Sequence, residues 1–200
     1  MGGVFMHKFV KWIWTSVLIA TMFCLGLLLA DRLSLQKNLI RLHVVANSNT
    51  QEDQARKLMV RDAVTEAEDS VQAYDIIASE LTNIDQIAKS TLMNAGDESN
   101  VQISFGKESF PARKYDTFSL PSGIYQSLRL EIGEGEGENW WCVVFPSLCV
   151  PDSVEAFSNV ARDSGMNAHL SGTLTGQKGY EIRFFLLDCL GKLENIIFGD

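Results

Sequence analysis

The spacing of hydrophobic positions changes repeatedly along the chain, and each change marks an element. An uncharged apolar run from Trp12 to Ala30 follows His7, Lys8 and Lys11. It is long enough to cross a bilayer as a helix, for which about 20 apolar residues suffice, and it lacks the polar face of a core helix. Leu39–Ala46 reads as a strand and ends at Asn47-Ser48-Asn49-Thr50, residues that favour turns and helix caps. A helix is predicted from about Gln51 to Val71, with Ala55, Leu58, Met59, Ala63 and Ala67 on one face. Thr50 with Asp53, or Asn49 with Glu52, would cap it. A second helix, about Ala73 to Met93, carries Ile77, Leu81, Ile84, Ala88 and Leu92 at helical spacing and stops at Asn94-Ala95-Gly96-Asp97.

The period then shortens to two. Val101, Ile103 and Phe105 alternate with polar residues and predict a half-buried strand, followed by a turn at Gly106-Lys107-Glu108. Pro111–Phe118 reads as an extended edge, Pro121-Ser122-Gly123 as a turn, and Leu128, Leu130 and Ile132 as a further strand. The loop Gly133-Glu134-Gly135-Glu136-Gly137-Glu138 reads as a mobile connector. Trp140–Phe145 is predicted to be a strand apolar on both faces, with Trp140 and Trp141 on opposite sides. Residues 151–179 are expected to be the least ordered part, with a short helix near Val154–Arg162. Tyr180–Leu187 is read as a last strand, and the tail from Gly191 as short and amphipathic. The resulting fold class is α+β: an N-terminal strand, two helices, then a mostly antiparallel sheet of four or more strands, all behind one membrane-targeting helix.

Charge and cysteine usage bear on compartment. Two lysines ahead of the apolar run predict export of the chain beyond it, so residues 1–30 form a signal peptide or signal anchor and 31–200 an exported domain. Leu28 before Ala30 makes a poor cleavage pattern, which leaves both forms open. Setting aside Lys8 and Lys11 takes the formal charge from −8 to −10. An acidic domain does not suit nucleic acid, whose phosphates require Lys and Arg.

The candidate chemistry is sparse. The glycine loop precedes a strand rather than a helix, and its glutamates would repel phosphate, so it is not a phosphate cradle. His43 and His169 have no second ligand at metal spacing, so neither metal nor cofactor is expected. No small-molecule substrate is indicated. Cys142 and Cys149 have three open readings: a bridge, two buried thiols, or a nucleophile acting with His43 in an exported cysteine-dependent cell-wall or peptide hydrolase. An oxidising compartment favours the bridge. Cys189, within an apolar run, reads as a buried core thiol. A solvent-facing tryptophan beside the loop would suit a binding anchor.

Two stretches resemble the stage II sporulation protein R family. One is Ile40-Arg41-Leu42-His43-Val44-Val45-Ala46-Asn47-Ser48, running into Glu52-Asp53-Gln54, Lys57-Leu58 and Val60-Arg61-Asp62. The other is Gly135-x-Gly137-x-Asn139-Trp140-Trp141-Cys142-Val143-x-Phe145-Pro146-x-Leu148-Cys149. Phe110-Pro111, Tyr115, Pro121-x-Gly123-x-Tyr125 and Glu181-Ile182-Arg183-Phe184 add weaker agreement, whereas Asn49 and Ser147 depart from the pattern. The resemblance implies a non-enzymatic signalling protein of endospore formation, sent from the forespore into the space between the two cells. Its partner would be the membrane-embedded aspartic protease stage II sporulation protein GA, which processes the precursor of mother-cell sigma factor E. Contact is expected through His43, Asn47, Ser48, Asp53, Arg61 and Asp62 at the end of the first strand, and through Asn139, Trp140 and Trp141.

Overall fold

A computed structural model describes residues 2–68, 80–146, 148 and 153–199. In chain order its elements are α1 (Gly2–Asn38), β1 (Ile40–Val45), α2 (Gln51–Glu68), α3 (Leu81–Asn94), β2 (Val101–Phe110), β3 (Arg113–Lys114), β4 (Ser119–Leu120), β5 (Gly123–Ile132), β6 (Asn139–Phe145), α4 (Val154–Asp163), α5 (Ala168–Leu174) and α6 (Glu181–Phe198). The order of the main sheet is β2-β5-β1-β6. β1 runs parallel to β5, and the other pairs are antiparallel. The fold is α+β, as the changes of period imply.

Every residue of β1 is buried, because the sheet is covered on both faces. On one face Ile40, Leu42 and Val44 join Leu128, Leu130, Cys142 and Val144 beneath α2 and α3, which contribute Val60, Val64, Ile84, Ala88 and Leu92. On the other face Phe110, Tyr125 and Val143 meet Leu35 and Leu39, Phe157 and Ala161 of α4, Leu170 and Leu174 of α5, and Leu187 of α6. Alternation along β1 also places Arg41 and His43 on this second face.

The apolar run does form a helix long and apolar enough to cross a membrane, by length and composition. That helix does not stop at Ala30. It continues to Asn38, and Asp31, Arg32 and Leu35 are buried against the rest of the chain. The 33-residue stretch Met6–Asn38 would be about 50 Å long at 1.5 Å per residue. A hydrocarbon core is about 30 Å thick, so the last turns extend beyond it.

Four expectations are corrected. Tyr180–Leu187 is not a strand: it opens the 18-residue helix α6, which also takes in the tail. Cys189 is exposed rather than a core thiol. Gly106-Lys107-Glu108 is not a turn but lies inside β2, paired with Ser127, Gln126 and Tyr125. Pro111–Phe118 is not one extended edge, because β3 and β4 fold into a small antiparallel ribbon. Residues 153–179 contain more regular structure than expected. Ser153 caps α4 by accepting from the Ala156 N–H, and Asn167 caps α5 by accepting from Leu170. The expected end of the first long helix and start of the second fall in 69–79, outside the described residues.

Candidate functional site

The end of β1 is organised by one carboxylate. Asp53 Oδ2 accepts hydrogen bonds from Ser48 Oγ at 2.6 Å and Asn47 Nδ2 at 2.9 Å, and its Oδ1 accepts from Arg56 at 3.1 Å. Its backbone N–H donates to Thr50 Oγ1, the expected cap. Hydrogen bonds from Ser48 and Asn47 hold the carboxyl below its ordinary value of 3.8, outweighing burial. The acidic glycine loop is stitched to the same place. Asn47 Oδ1 accepts from the Glu134 N–H, Asn49 Oδ1 from the Glu138 N–H, and the Ala46 carbonyl from the Gly137 N–H. A Cβ at Gly137 would lie 2.4 Å from the Ser48 carbonyl oxygen. The connector is therefore hydrogen-bonded to the end of β1, and glycine is required where the two backbones meet. The polar groups of Asn47, Ser48 and Asp53 are engaged with each other, so these residues shape the surface.

This gives a pH dependence. A carboxyl whose folded pKa is depressed contributes stability above its unfolded value, and loses it as pH falls through the folded one. Asp53→Asn should lower the urea midpoint at pH 7, and the gap from the parent should shrink below the ordinary value of 3.8. Urea titrations of both proteins at pH 7 and pH 3 check this.

His43 belongs to a second polar cluster, on the sheet face away from α2. Its Nδ1 lies 2.7 Å from Glu108 Oε1 and its Nε2 2.7 Å from Asn139 Oδ1, while the ring stacks on Trp141. Ser127 Oγ and Arg129 donate to Glu108. Burial raises the Glu108 pKa, but hydrogen bonds from His43 and Ser127, with the charges of His43 and Arg129, bring it below its ordinary value. The order serine–carboxylate–histidine is the wrong one for activating a nucleophile, which must itself bond the base. Cys142 lies opposite Leu42 and shares its buried face, whereas His43 lies opposite Trp141. The two side chains point to opposite sides of the sheet and form no dyad. Among the described residues no group of His, Cys, Asp and Glu could hold a metal.

Trp140 and Trp141 fall on opposite faces, and each carries a cation. The Arg61 guanidinium lies 4.5 Å from the centroid of Trp140, and that of Arg113 3.7 Å from Trp141. Between α2, β3 and β6 they help line a groove of about 500 Å³, with Lys57, Leu58, Lys114 and Tyr115. Trp140 is 36% exposed. Lys57 donates to the Glu138 carbonyl and to Gln54; burial lowers its pKa, opposed by Glu138 and reinforced by Arg61. Behind the groove Arg41, fully buried, donates to Tyr115 Oη at 2.7 Å and lies over Phe110. Tyr115 Oη donates onward to the Trp141 carbonyl at 3.1 Å. Burial raises the Tyr115 pKa against the charge of Arg41, keeping it a neutral donor.

The structure thus gathers Asn139, Trp140 and Trp141 around one groove, with Arg61 stacked on Trp140 beside it. His43 stacks behind it, Asp53 braces its rim through the glycine loop, and Asp62 pairs with Arg61 at the surface. Cys149 lies outside the described residues; the free cysteines among those described are Cys24 and Cys189. Sequence reasoning missed Arg113, Lys114, Glu108 and the bracing role of Arg41. Arg113 and Lys114 sit in a ribbon where a single extended edge is expected, and Glu108 in a long edge strand where a turn is expected.

The family model for stage II sporulation protein R matches residues 36–155. The stage II sporulation protein R of Bacillus subtilis (strain 168) is 39% identical over 128 residues, an alignment that takes in 60% of this chain and 55% of the relative. The chain therefore spans about half the length of that curated relative. No solved structure matches. The matched segment holds β1, the Asp53 network, the His43 cluster and both tryptophans, and the chain belongs to the stage II sporulation protein R family.

Proposed function

We propose that this chain is an exported protein ligand of endospore formation. It engages the extracytoplasmic part of the membrane-embedded aspartic protease stage II sporulation protein GA, so that the precursor of mother-cell sigma factor E is processed. The observation that carries the reading is the cationic, aromatic groove at Trp140 and Trp141 in a chain of formal charge −8. Among the described residues Arg113 and Lys114 have no carboxylate partner, so both remain available to an acidic segment of a partner. Trp and Arg are the residue types that dominate binding energy at interfaces. Switching on the protease would be a population shift, requiring tighter binding to its active arrangement than to its resting one. The bridge between Cys142 and Cys149 belongs to this proposal as a brace for β6. So does export into the forespore intermembrane space, as a secreted or membrane-anchored form.

The test is co-expression of protease and sigma precursor with and without this chain. Processing should depend on the chain and should survive Cys142→Ser paired with Cys149→Ser. Equal processing without the chain would overturn the ligand reading. Loss of processing in the double variant while it remains folded and still binds the protease would revive the cysteine hydrolase.

A further inference from the structure

Helix α6 carries its polarity inside out. Arg183, Asp188 and Glu194 face the body of the protein and are paired there. Arg183 Nε donates to Asp31 Oδ2 at 2.7 Å, Asp188 accepts from the N–H and hydroxyl of Ser122, and Glu194 pairs with Arg32 and Gln36. The outward side is apolar. Ile182 is 75% exposed, Phe185 62%, Leu193 53%, Ile196 80% and Ile197 57%, with Leu186 between them. At 3.6 residues per turn these positions fall within an arc of about 120°. No charged residue lies inside that arc; Lys192 and Glu181 stand at one margin. A helix in water has the opposite arrangement.

The position of α6 says what covers this face. Its partners Asp31, Arg32 and Gln36 lie in the first two turns after the apolar run of α1. Leu28 of that run packs on the same core as Leu187 of α6. The exposed apolar surface of α1 continues through Leu29 and Leu33 at the level where α6 is fastened. A membrane entered by α1 would therefore end beside α6.

We infer that α6 lies in the headgroup–acyl boundary of the membrane that α1 enters, with its outward face in lipid. Interfacial helices bury such a face about 5–10 Å deep. α6 then holds the domain against the bilayer at a second point besides α1, fixing the orientation in which the Trp140 groove is presented. The proposal rests on α1 entering a membrane and not on the identity of the partner.

Two native thiols allow the test. Cys24 lies in α1 and Cys189 at the centre of the outward face of α6, and both are exposed and free. The full chain is reconstituted in phosphatidylcholine vesicles with a nitroxide on Cys189 in a Cys24→Ser background, or on Cys24 in a Cys189→Ser background. Ser90→Cys, on α3 beyond the opposite face of the sheet, supplies the water-facing control, and Cys24→Ser/Cys189→Ser the labelling background. Collisions with oxygen should exceed those with a water-soluble nickel complex at both Cys24 and Cys189, and the reverse should hold at Ser90→Cys. Ile182→Lys with Ile196→Lys, at positions 75% and 80% exposed, should abolish the preference at Cys189 and leave it at Cys24. A nickel-accessible Cys189 beside a buried Cys24 would overturn the α6 proposal and leave the anchor standing. Nickel access at both would overturn both. Dipolar broadening at Cys189 that vanishes on dilution with unlabelled chain would assign the face to a second copy instead.

Discussion

Gly191→Ala should cost about 3 kcal/mol of folding stability, the upper end of what overpacking usually costs. A Cβ at Gly191 would lie 1.6 Å from the Ser122 carbonyl oxygen and 2.5 Å from its carbonyl carbon. These are backbone atoms in the turn just before β5, so no side-chain rotation relieves the clash. Either α6 lifts from the sheet or the 121–123 turn shifts. Lifting α6 would break the Ser122 N–H and hydroxyl bonds to Asp188, at 2.8 and 2.6 Å, and leave the Arg32–Glu194 pair without support. Gly106→Ala is the control, because nothing lies within 4 Å of a Cβ there and the backbone is not left-handed. Urea unfolding followed by tryptophan fluorescence should show a large loss for Gly191→Ala and almost none for Gly106→Ala. Equal midpoints would mean that α6 does not pack closely on the turn.

The second large effect is expected at the groove. Trp140→Ala, or Arg113→Glu with Lys114→Glu, should weaken binding to the protease by about 2 kcal/mol, the scale of an interface hot spot. That is about 30-fold in affinity. Sigma precursor processing at limiting ligand should fall accordingly. Trp140 is partly exposed and lies outside both hydrophobic cores, so unfolding midpoints should shift little. The charge reversal separates this groove from general stickiness, because swapping cations for carboxylates should repel an acidic partner segment while keeping the apolar floor. Processing that survives both variants would remove the groove from the contact.

Legibility in the sequence depends on how each element meets solvent. β1 was legible because its apolar run ends at a cap cluster, and Thr50 does cap α2. The α3 stripe of Ile84, Ala88 and Leu92 was legible because it faces a core on one side and water on the other. α6 was misread for the opposite reason. Ile182, Phe184, Phe185, Leu186 and Leu187 form a short apolar run, and such runs do not distinguish a strand from a helix. The charges that would have marked the helical period, Arg183, Asp188 and Glu194, point inward to partners on α1 and the 121–123 turn. Glu108 was missed because β2 is an edge strand with a polar outer half, so Gly106-Lys107-Glu108 resembles a turn. At the site, Trp140 and Trp141 were visible as types, and their opposite faces followed from strand alternation. Arg113 was not, because nothing local to Pro111–Lys114 reveals that the β3–β4 ribbon folds back over Trp141.

Photo-cross-linking from the groove tests the contact with the protease most directly. A benzophenone amino acid is placed at Trp140 in the full chain, co-expressed with the protease, and compared with the same residue at Gln102, on the far edge strand β2. Docking through the groove predicts an adduct with the extracytoplasmic part of the protease from position 140 and none from position 102, with Arg113→Glu/Lys114→Glu reducing the yield. An adduct from position 102 with none from position 140 would contradict it.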